Sequence, residues 1–229
     1  MLSLLTANPM GQAIIAMFFG SGCRKGEVAA LDWKDYERGS DGAIVHLRRN
    51  SWRGKIITLK TKSSKDNVAI DAEICKYVDS YREMIGNPTE GPMFHNQEDN
   101  GNIINLDSFA RWQIKPILER CHHCGKQQPA HTQSDHRYER NETVPHWKGW
   151  HAFRRGNATF LAQQRTVDGR AAATLMLRQS DASTTEDHYI LETKQERRAA
   201  QAAKVIDVRQ RRRQAAKAIG ESLKSATVI

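Results

Sequence analysis

The sequence predicts an α+β protein that is mainly α-helical and contains one small antiparallel sheet. Apolar residues recur at helical spacing over residues 10–36, 71–86, 107–121 and 150–164, as helices with one buried face require. Between the first two segments the pattern changes to short β-branched runs, which are typical of strands. Helices, then strands, then helices again is an order found in α+β folds.

The first helical segment is divided by a turn. One apolar helix face is formed by Ile14, Ile15, Phe18 and Phe19. Gly20 and Gly22 then interrupt the helix. A second helix is expected from Lys25 to Leu31.

Three strands are predicted in the segment 42–71. Their apolar centres are residues 44–47, 56–59 and 68–70. The polar stretch 60–67 lies between the last two and is predicted to be the turn of a hairpin. We expect the three strands to form one antiparallel sheet.

The second half of the chain is predicted to be helical except for one polar, His-rich segment at 122–149. Asp71 and Asp107 are suited to cap the helices that follow them, because a carboxylate accepts hydrogen bonds from free N–H groups. After the helix from Trp150 to Gln164, we expect short helices over 171–178 and 184–190.

The tail, residues 194–224, is rich in Ala, Gln and Arg and contains no proline, which favours one long basic helix. We therefore divide the chain into a domain of residues 1–192 and a basic helical tail of residues 193–229. A solvated basic helix is the commoner case for such a segment. In the functional alternative, its apolar face docks on a neighbouring protomer and its arginines contact phosphates.

The charge balance favours a polyanionic partner. Lys and Arg together number 35 against 26 Asp and Glu, for a net charge of +9, and nucleic acid is the commonest such partner. The longest apolar run, residues 13–19, is shorter than the roughly 20 residues that span a bilayer, and no signal peptide is visible. We expect a cytoplasmic, nucleoid-associated protein without a membrane partner.

Four short motifs carry residues suited to phosphate chemistry. Residues 22–28 read Gly-Cys-Arg-Lys-Gly-Glu-Val, and residues 60–65 read Lys-Thr-Lys-Ser-Ser-Lys. Residues 151–155 read His-Ala-Phe-Arg-Arg. Residues 177–181 read Leu-Arg-Gln-Ser-Asp and lead to Tyr189.

In this order the motifs resemble those of the tyrosine recombinase (phage integrase) family, over nearly the whole chain. That family has an arginine in a G-x-R-x-x-E turn, a lysine in a β-hairpin, an H-x-x-R helix, and L-G-H-S followed by a tyrosine. Gln179 and Tyr189 are ten positions apart, as in the family. The resemblance implies a DNA integrase or recombinase of a mobile element, which acts on double-stranded DNA as a tetramer without a catalytic cofactor.

The resemblance also implies roles for individual residues. Tyr189 would attack the scissile phosphate and form a 3′-phosphotyrosyl intermediate with a free 5′-hydroxyl. Arg24 and Arg154 would clamp the phosphate, because guanidinium groups bind its oxygens through paired hydrogen bonds. His151 would either hydrogen-bond the phosphate or accept the proton of the tyrosine, since its pKa lies near neutrality.

A lysine would protonate the leaving oxygen. We favour Lys60, which is followed by threonine as in the family's hairpin, while Lys62 and the nearby Lys65 remain alternatives. The basic side chains expected to contact DNA are Lys62, Lys65, Arg155, Arg211, Arg212 and Arg213.

The sequence departs from the family pattern in three places. Gln179 stands where the family has histidine, and a neutral amide can donate a hydrogen bond but carries no charge. Arg178 replaces the usual glycine. Only 23 residues precede Arg24, so we expect the family's N-terminal core-binding domain to be lacking. Two alternatives therefore stay open, namely a DNA-binding remnant with weak or no turnover and a type IB topoisomerase-like activity.

A Cys/His-rich insertion at 121–149 is predicted to bind structural Zn²⁺. Cys121 and Cys124 form a C-x-x-C pair, followed by His131 and His136, and two cysteines with two histidines suit tetrahedral zinc. Gly125 would permit the tight turn after the second cysteine. Alternative ligands in or near this segment are His122, His123 and His146.

Overall fold

The computed structural model of the chain describes residues 1–59, 66–96, 103–131, 136–163 and 169–178. All of them belong to the first of two units, Met1–Ile190, and the second unit is Leu191–Ile229. The boundary after residue 192 stays a prediction, as do the helices at 184–190 and 194–224, which lie outside the described residues.

The chain begins with the predicted pair of helices, α1 (Pro9–Ser21) and α2 (Lys25–Ala29). The Asn8 side chain caps α1 by accepting a hydrogen bond from the Gly11 N–H. Gly22 ends α1 in a left-handed conformation with φ of 60°, which a glycine adopts without a Cβ clash. The turn between the helices is thereby fixed, and Arg24 comes directly after it.

The strands differ from the prediction in how they pair. The three-stranded antiparallel sheet contains β1 (Tyr36–Arg38), β2 (Gly42–Leu47) and β5 (Asp66–Asp71), with β2 in the centre. A separate two-stranded hairpin contains β3 (Arg49–Trp52) and β4 (Lys55–Thr58).

The prediction of the sheet was therefore wrong for its middle strand, residues 56–59. Residues 56–58 of β4 pair with β3 and not with β5, and Asp66 and Asn67, predicted in the turn, begin β5. Burial gives the reason: all four residues of β4 are exposed, whereas β2 buries alternate residues against the helices. β1 was missed because three residues are too few to show a period.

The third helix, α3 (Ala72–Met84), is confirmed together with its cap. The Asp71 side chain accepts a hydrogen bond from the Glu73 N–H, and α3 buries Cys75, Val78 and Tyr81. It packs on α1, so one core lies between the first helices and the sheet.

The predicted helix at 107–121 is interrupted. α4 (Leu106–Phe109) and α5 (Lys115–Leu118) are joined by a π-helical turn at Ala110–Ile114. Pro116 lacks an N–H and loosens the helical hydrogen bonding at this point. The cap is also different from the prediction, because Asn105 accepts hydrogen bonds from the N–H groups of Asp107 and Ser108.

The last described helices are α6 (His151–Gln163) and α7 (Gly169–Leu177), which confirm two predicted helices and pack on each other. The Trp150 ring, just before α6, stacks on Phe18 of α1 with ring centroids 4.6 Å apart. The helix that carries the H-x-x-R motif is thereby anchored to the helix that precedes Arg24. None of the described helices is long and apolar enough to cross a membrane.

Candidate active site

Arg24 is held by a buried carboxylate at the start of α2. Its Nη1 donates to Glu27 Oε1 over 3.1 Å, and its backbone N–H donates to Glu27 Oε2 over 2.7 Å. The Glu27 side chain is 5% exposed and that of Arg24 is 44% exposed. A fixed carboxylate thus orients a guanidinium group that solvent, or a ligand, can still reach.

Arg154 of α6 is fully buried and connects two distant segments. Its Nη1 donates to the Gly22 carbonyl over 2.7 Å, and its Nη2 donates to the Leu177 carbonyl. One contact fixes the turn before Arg24, and the other fixes the end of α7. The neighbouring Asn157 adds a third link by donating to the Phe19 carbonyl over 2.7 Å.

His151 is exposed at the first position of α6. Partial burial and the positive charges of Arg154, Arg155, Arg24 and Lys25 lower its pKa below the ordinary 6.5. The imidazole is therefore mainly neutral at pH 7 and can accept a proton. The first and third motifs meet through Arg154, whose Nη1 donates to the Gly22 carbonyl.

Arg178 follows α7 and is the last described residue. Its φ of 52° is left-handed, a conformation that favours glycine. Its Nη2 donates to Glu27 Oε2 over 2.5 Å, and its side chain is only 6% exposed. Glu27 therefore binds two guanidinium groups, those of Arg24 and Arg178.

The pKa of Glu27 reflects these two neighbours. Burial alone would raise the pKa, but the charge of Arg178, the Arg24 N–H and the charge of Arg24 together hold it below its ordinary value of 4.5. The carboxylate stays ionised at neutral pH, so the two ion pairs persist there.

The β3–β4 hairpin lies directly against α2. Gly26 makes this possible, since a Cβ at this position would be 2.1 Å from Asn50 Oδ1 and 2.5 Å from the Ser51 carbonyl oxygen. Arg49 of β3 also forms ion pairs with Asp32 and the buried Asp35. The Leu59 N–H donates to the Arg48 carbonyl over 3.1 Å, and the next residue in the chain is Lys60.

The structure thus brings together Arg24, His151 and Arg154, with Arg155 half-buried beside them. The other predicted site residues lie beyond the part of the chain that the structure describes: Lys60, Lys62, Lys65, Gln179, Tyr189, Arg211, Arg212 and Arg213. Sequence reasoning missed the contact between Glu27 and Arg178. The one available signal was an arginine directly after a helix, where the motif has glycine.

A second cluster lies in the Cys/His-rich insertion. Among the described residues, Cys121, Cys124, His131 and His136 form the one group of potential metal ligands, with ligand atoms all within 4.8 Å of one another. Cys121 Sγ is 3.3 Å from His136 Nε2, and His131 Nε2 is 3.1 Å from the same nitrogen. These are the four residues predicted from the spacing.

The alternative histidines have other partners or positions. His123 Nε2 is 3.1 Å from Glu139 Oε2, and His146 Nε2 is 2.8 Å from Glu142 Oε2. His122 is exposed and is not in the cluster.

The backbone around Cys121 favours a thiolate. The chain turns back after the second cysteine through a hydrogen bond from the Gly125 N–H to the Cys121 carbonyl, 2.9 Å long, and Gly125 has a left-handed φ of 67°. Burial opposes ionisation, but backbone N–H groups of Glu139, Cys124 and His123, together with His136, lower the pKa of Cys121 to about 5.

No protein-family profile matches the chain, and no curated protein matches it in sequence. Solved structures do match. The Tn1549 transposon integrase, in complex with circular intermediate DNA, is 17% identical, with 88% of this chain and 63% of the integrase aligned at a TM-score of 0.58. XerA recombinase is 14% identical, with 88% of this chain and 58% of XerA aligned at a TM-score of 0.55.

A third similar structure is the XerH site-specific recombinase bound to a palindromic difH substrate. It is 19% identical, with 90% of this chain and 48% of XerH aligned at a TM-score of 0.54. At these identities the likeness shows the fold, which is that of the tyrosine recombinase catalytic domain. The resemblance predicted from the four motifs is confirmed at this level. The chain spans 48% to 63% of the length of these three proteins.

Proposed function

We propose that this chain, which has the fold of the tyrosine recombinase catalytic domain, cleaves and rejoins double-stranded DNA through a 3′-phosphotyrosyl intermediate in the integration or recombination of a mobile element. One observation carries the proposal: the buried Arg154 joins the Arg24 turn to the end of α7. Two motif arginines and His151 thereby share one site, although they are far apart in the sequence.

The proposed chemistry needs a nucleophile, charge stabilisation and a proton donor. The Tyr189 oxygen attacks phosphorus, and the bond from phosphorus to the 5′-oxygen breaks. Arg24, whose side chain solvent can reach, binds the phosphate. Arg154, whose Nη atoms already donate to the Gly22 and Leu177 carbonyls, stabilises the added negative charge through its own positive charge. Lys60 protonates the leaving 5′-oxygen. His151 takes the proton of the tyrosine. The covalent bond stores the energy for rejoining, so this reaction needs no nucleotide cofactor.

The similar proteins support DNA as the substrate. The Tn1549 integrase structure contains circular intermediate DNA, and the XerH structure contains the difH substrate. The net charge of +9 of this chain is consistent with such a partner. If the protein acts on DNA in this way, we expect it to be cytoplasmic and associated with the nucleoid.

Assembly into a tetramer on DNA is part of the proposal. Phe160 of α6 and Leu175 of α7 are 64% and 76% exposed, and apolar side chains on adjacent helices are suited to contact between protomers.

The test is covalent trapping on DNA that contains a nick. A randomised pool of nicked duplexes, in which the cleaved end diffuses away, should give a protein–DNA adduct with the wild-type chain and none with Tyr189→Phe. Sequencing the trapped DNA would also identify the target site. Failure to trap any duplex from the pool would contradict the proposal and favour the non-catalytic DNA-binding remnant, which the neutral Gln179 keeps in view.

Joining of two identified target sites then distinguishes recombination from topoisomerase-like relaxation. A recombinase should convert two sites into a product that carries one half of each. Relaxation of supercoiled DNA with adducts but without such a product would support the topoisomerase alternative.

Structural Zn²⁺ bound by Cys121, Cys124, His131 and His136 is the second part of the proposal. Zinc bonds of about 2.0–2.3 Å put neighbouring tetrahedral ligand atoms about 3.3–3.8 Å apart, close to the separations of 3.1 and 3.3 Å in the cluster. Among the described residues of 119–149, the two buried residues are Cys121 and His131. The insertion has no apolar core of its own there, so a metal would stabilise its fold.

Metal analysis of the purified protein tests the zinc site. We expect one zinc per chain, retained in His122→Ala and lost in Cys121→Ser. Removing the metal with a chelator should lower the melting temperature of the wild type but not of Cys121→Ser. Less than half a zinc per chain in the wild type would contradict the proposal, and loss of zinc from His122→Ala would contradict the assigned ligand set.

A further inference from the structure

Arg178 combines three unfavourable features at one residue. Its φ of 52° is left-handed, which costs a residue with a Cβ roughly 1 kcal/mol. Its charge is almost completely buried, with 6% of the side chain exposed. Its Nε and Nη1 atoms are buried and have no hydrogen-bond partner among the described residues. Such a combination persists only where surrounding contacts stabilise it, and residues of this kind are concentrated at functional sites.

The contact that holds Arg178 is also the contact that orients Arg24. Arg178 Nη2 and the Arg24 N–H both donate to Glu27 Oε2, and Arg24 Nη1 donates to Glu27 Oε1. A movement of the carboxylate would therefore move Arg24. Arg154, which binds the carbonyl of Leu177, fixes the residue next to Arg178 from the other side.

The local charge also depends on Arg178. Arg24, Glu27 and Arg154, which binds the carbonyls of Gly22 and Leu177, sum to +1, and Arg178 raises the sum to +2. The adjacent Gln179, the proposed phosphate ligand, is a neutral amide and adds no charge. Arg178, the residue next to Gln179, therefore supplies one of the two surplus positive charges at this end of the proposed site.

We propose that Arg178 is a positioning residue that holds Glu27 and Arg24 in place and supplies the positive charge that Gln179 lacks. The inference rests on the proposed function, because it assumes that a phosphate binds beside Arg24. Arg178 acts through Glu27 and the local field, and it does not touch the substrate.

Substitutions that separate charge from shape test the proposal. Arg178→Met removes the charge but keeps the length of the side chain, Arg178→Lys keeps the charge, and Gln179→His adds a group that can carry charge next to it. The measured quantity is the single-turnover rate of adduct formation on the trapped duplex, with DNA affinity measured separately. Arg111→Met, an exposed arginine outside the site, controls for the loss of one positive charge.

We expect Arg178→Met to lower the cleavage rate by about 10²-fold, the usual effect of losing one electrostatic contribution, with little change in DNA affinity. Arg178→Lys should lose less. Gln179→His should restore at least about tenfold of the lost rate in the Arg178→Met background. A purely structural role would not be relieved by a histidine at position 179. Circular dichroism of each variant verifies that it is folded.

A second measurement does not depend on turnover. Inorganic phosphate is titrated in the Tyr189→Phe background, where its affinity should fall severalfold on Arg178→Met and recover with Gln179→His. If the wild type forms no adduct, the proposed function fails while this titration still decides the inference about Arg178. The proposal would be overturned if Arg178→Met left both the phosphate affinity and the cleavage rate unchanged. It would also be overturned if Gln179→His did not relieve the losses caused by Arg178→Met.

Discussion

At the scale of single residues, neighbouring charges set the protonation states of Glu27 and His151. Glu27 stays ionised although it is buried, because two guanidinium groups face it. His151 lies among four positive charges, and its pKa is lowered. The same positive environment therefore keeps a carboxylate charged and a histidine neutral.

The lowered pKa of His151 favours proton acceptance over donation to the phosphate. A base works only in its neutral form, so the single-turnover cleavage rate should rise with pH through a pKa below 6.5 and level off above that pKa. Arg155→Met removes one of the charges and should move this inflection to higher pH. His151→Ala should lower the plateau rate by about 10²-fold and abolish the inflection.

The outcome that contradicts this role is a rate that rises as the pH falls. In that case the protonated imidazole would be the active form, and His151 would donate to the phosphate instead.

At the scale of secondary-structure elements, the position of the β3–β4 hairpin depends on its close contact with α2. The β3–β4 strands are exposed, and what fixes them is their contact with α2 at Gly26 and the ion pairs of Arg49 with Asp32 and Asp35. Gly26 therefore fixes the described end of the hairpin, up to Leu59, next to the helix that follows Arg24.

Gly26→Ala should separate the hairpin from α2. The new methyl group would meet Asn50 and the Ser51 backbone at 2.1 and 2.5 Å, and the backbone cannot yield without moving β3. We expect a loss of about 1–3 kcal/mol in the free energy of unfolding, measured by urea denaturation, and a lower cleavage rate.

Gly156→Ala is the matched control for this substitution. Gly156 lies in α6, and a Cβ there would meet nothing within 4 Å, so alanine should leave the stability unchanged or raise it by up to about 1 kcal/mol. Equal stability of Gly26→Ala and the wild type would show that the hairpin is not held in this way.

At the scale of the whole molecule, local patterns predicted most of the described helices but not the pairing of the strands. The apolar period of α1, α3 and α6 is visible within one segment, as is the spacing of the four candidate metal ligands. The partner of β4 is not, since an apolar run does not show which strand it faces. The contact between Glu27 and Arg178 joins residues 151 positions apart, and only the folded chain brings them together.

The two carbonyl groups that hold Arg154 have a consequence for the synthesis of the protein. They lie 132 positions before it and 23 positions after it. A ribosome completes the Arg24 turn long before it reaches α7, and until then Arg154 lacks one of its two anchors. Nascent or prematurely terminated chains therefore carry the parts of the proposed DNA-breaking centre in an unfinished arrangement.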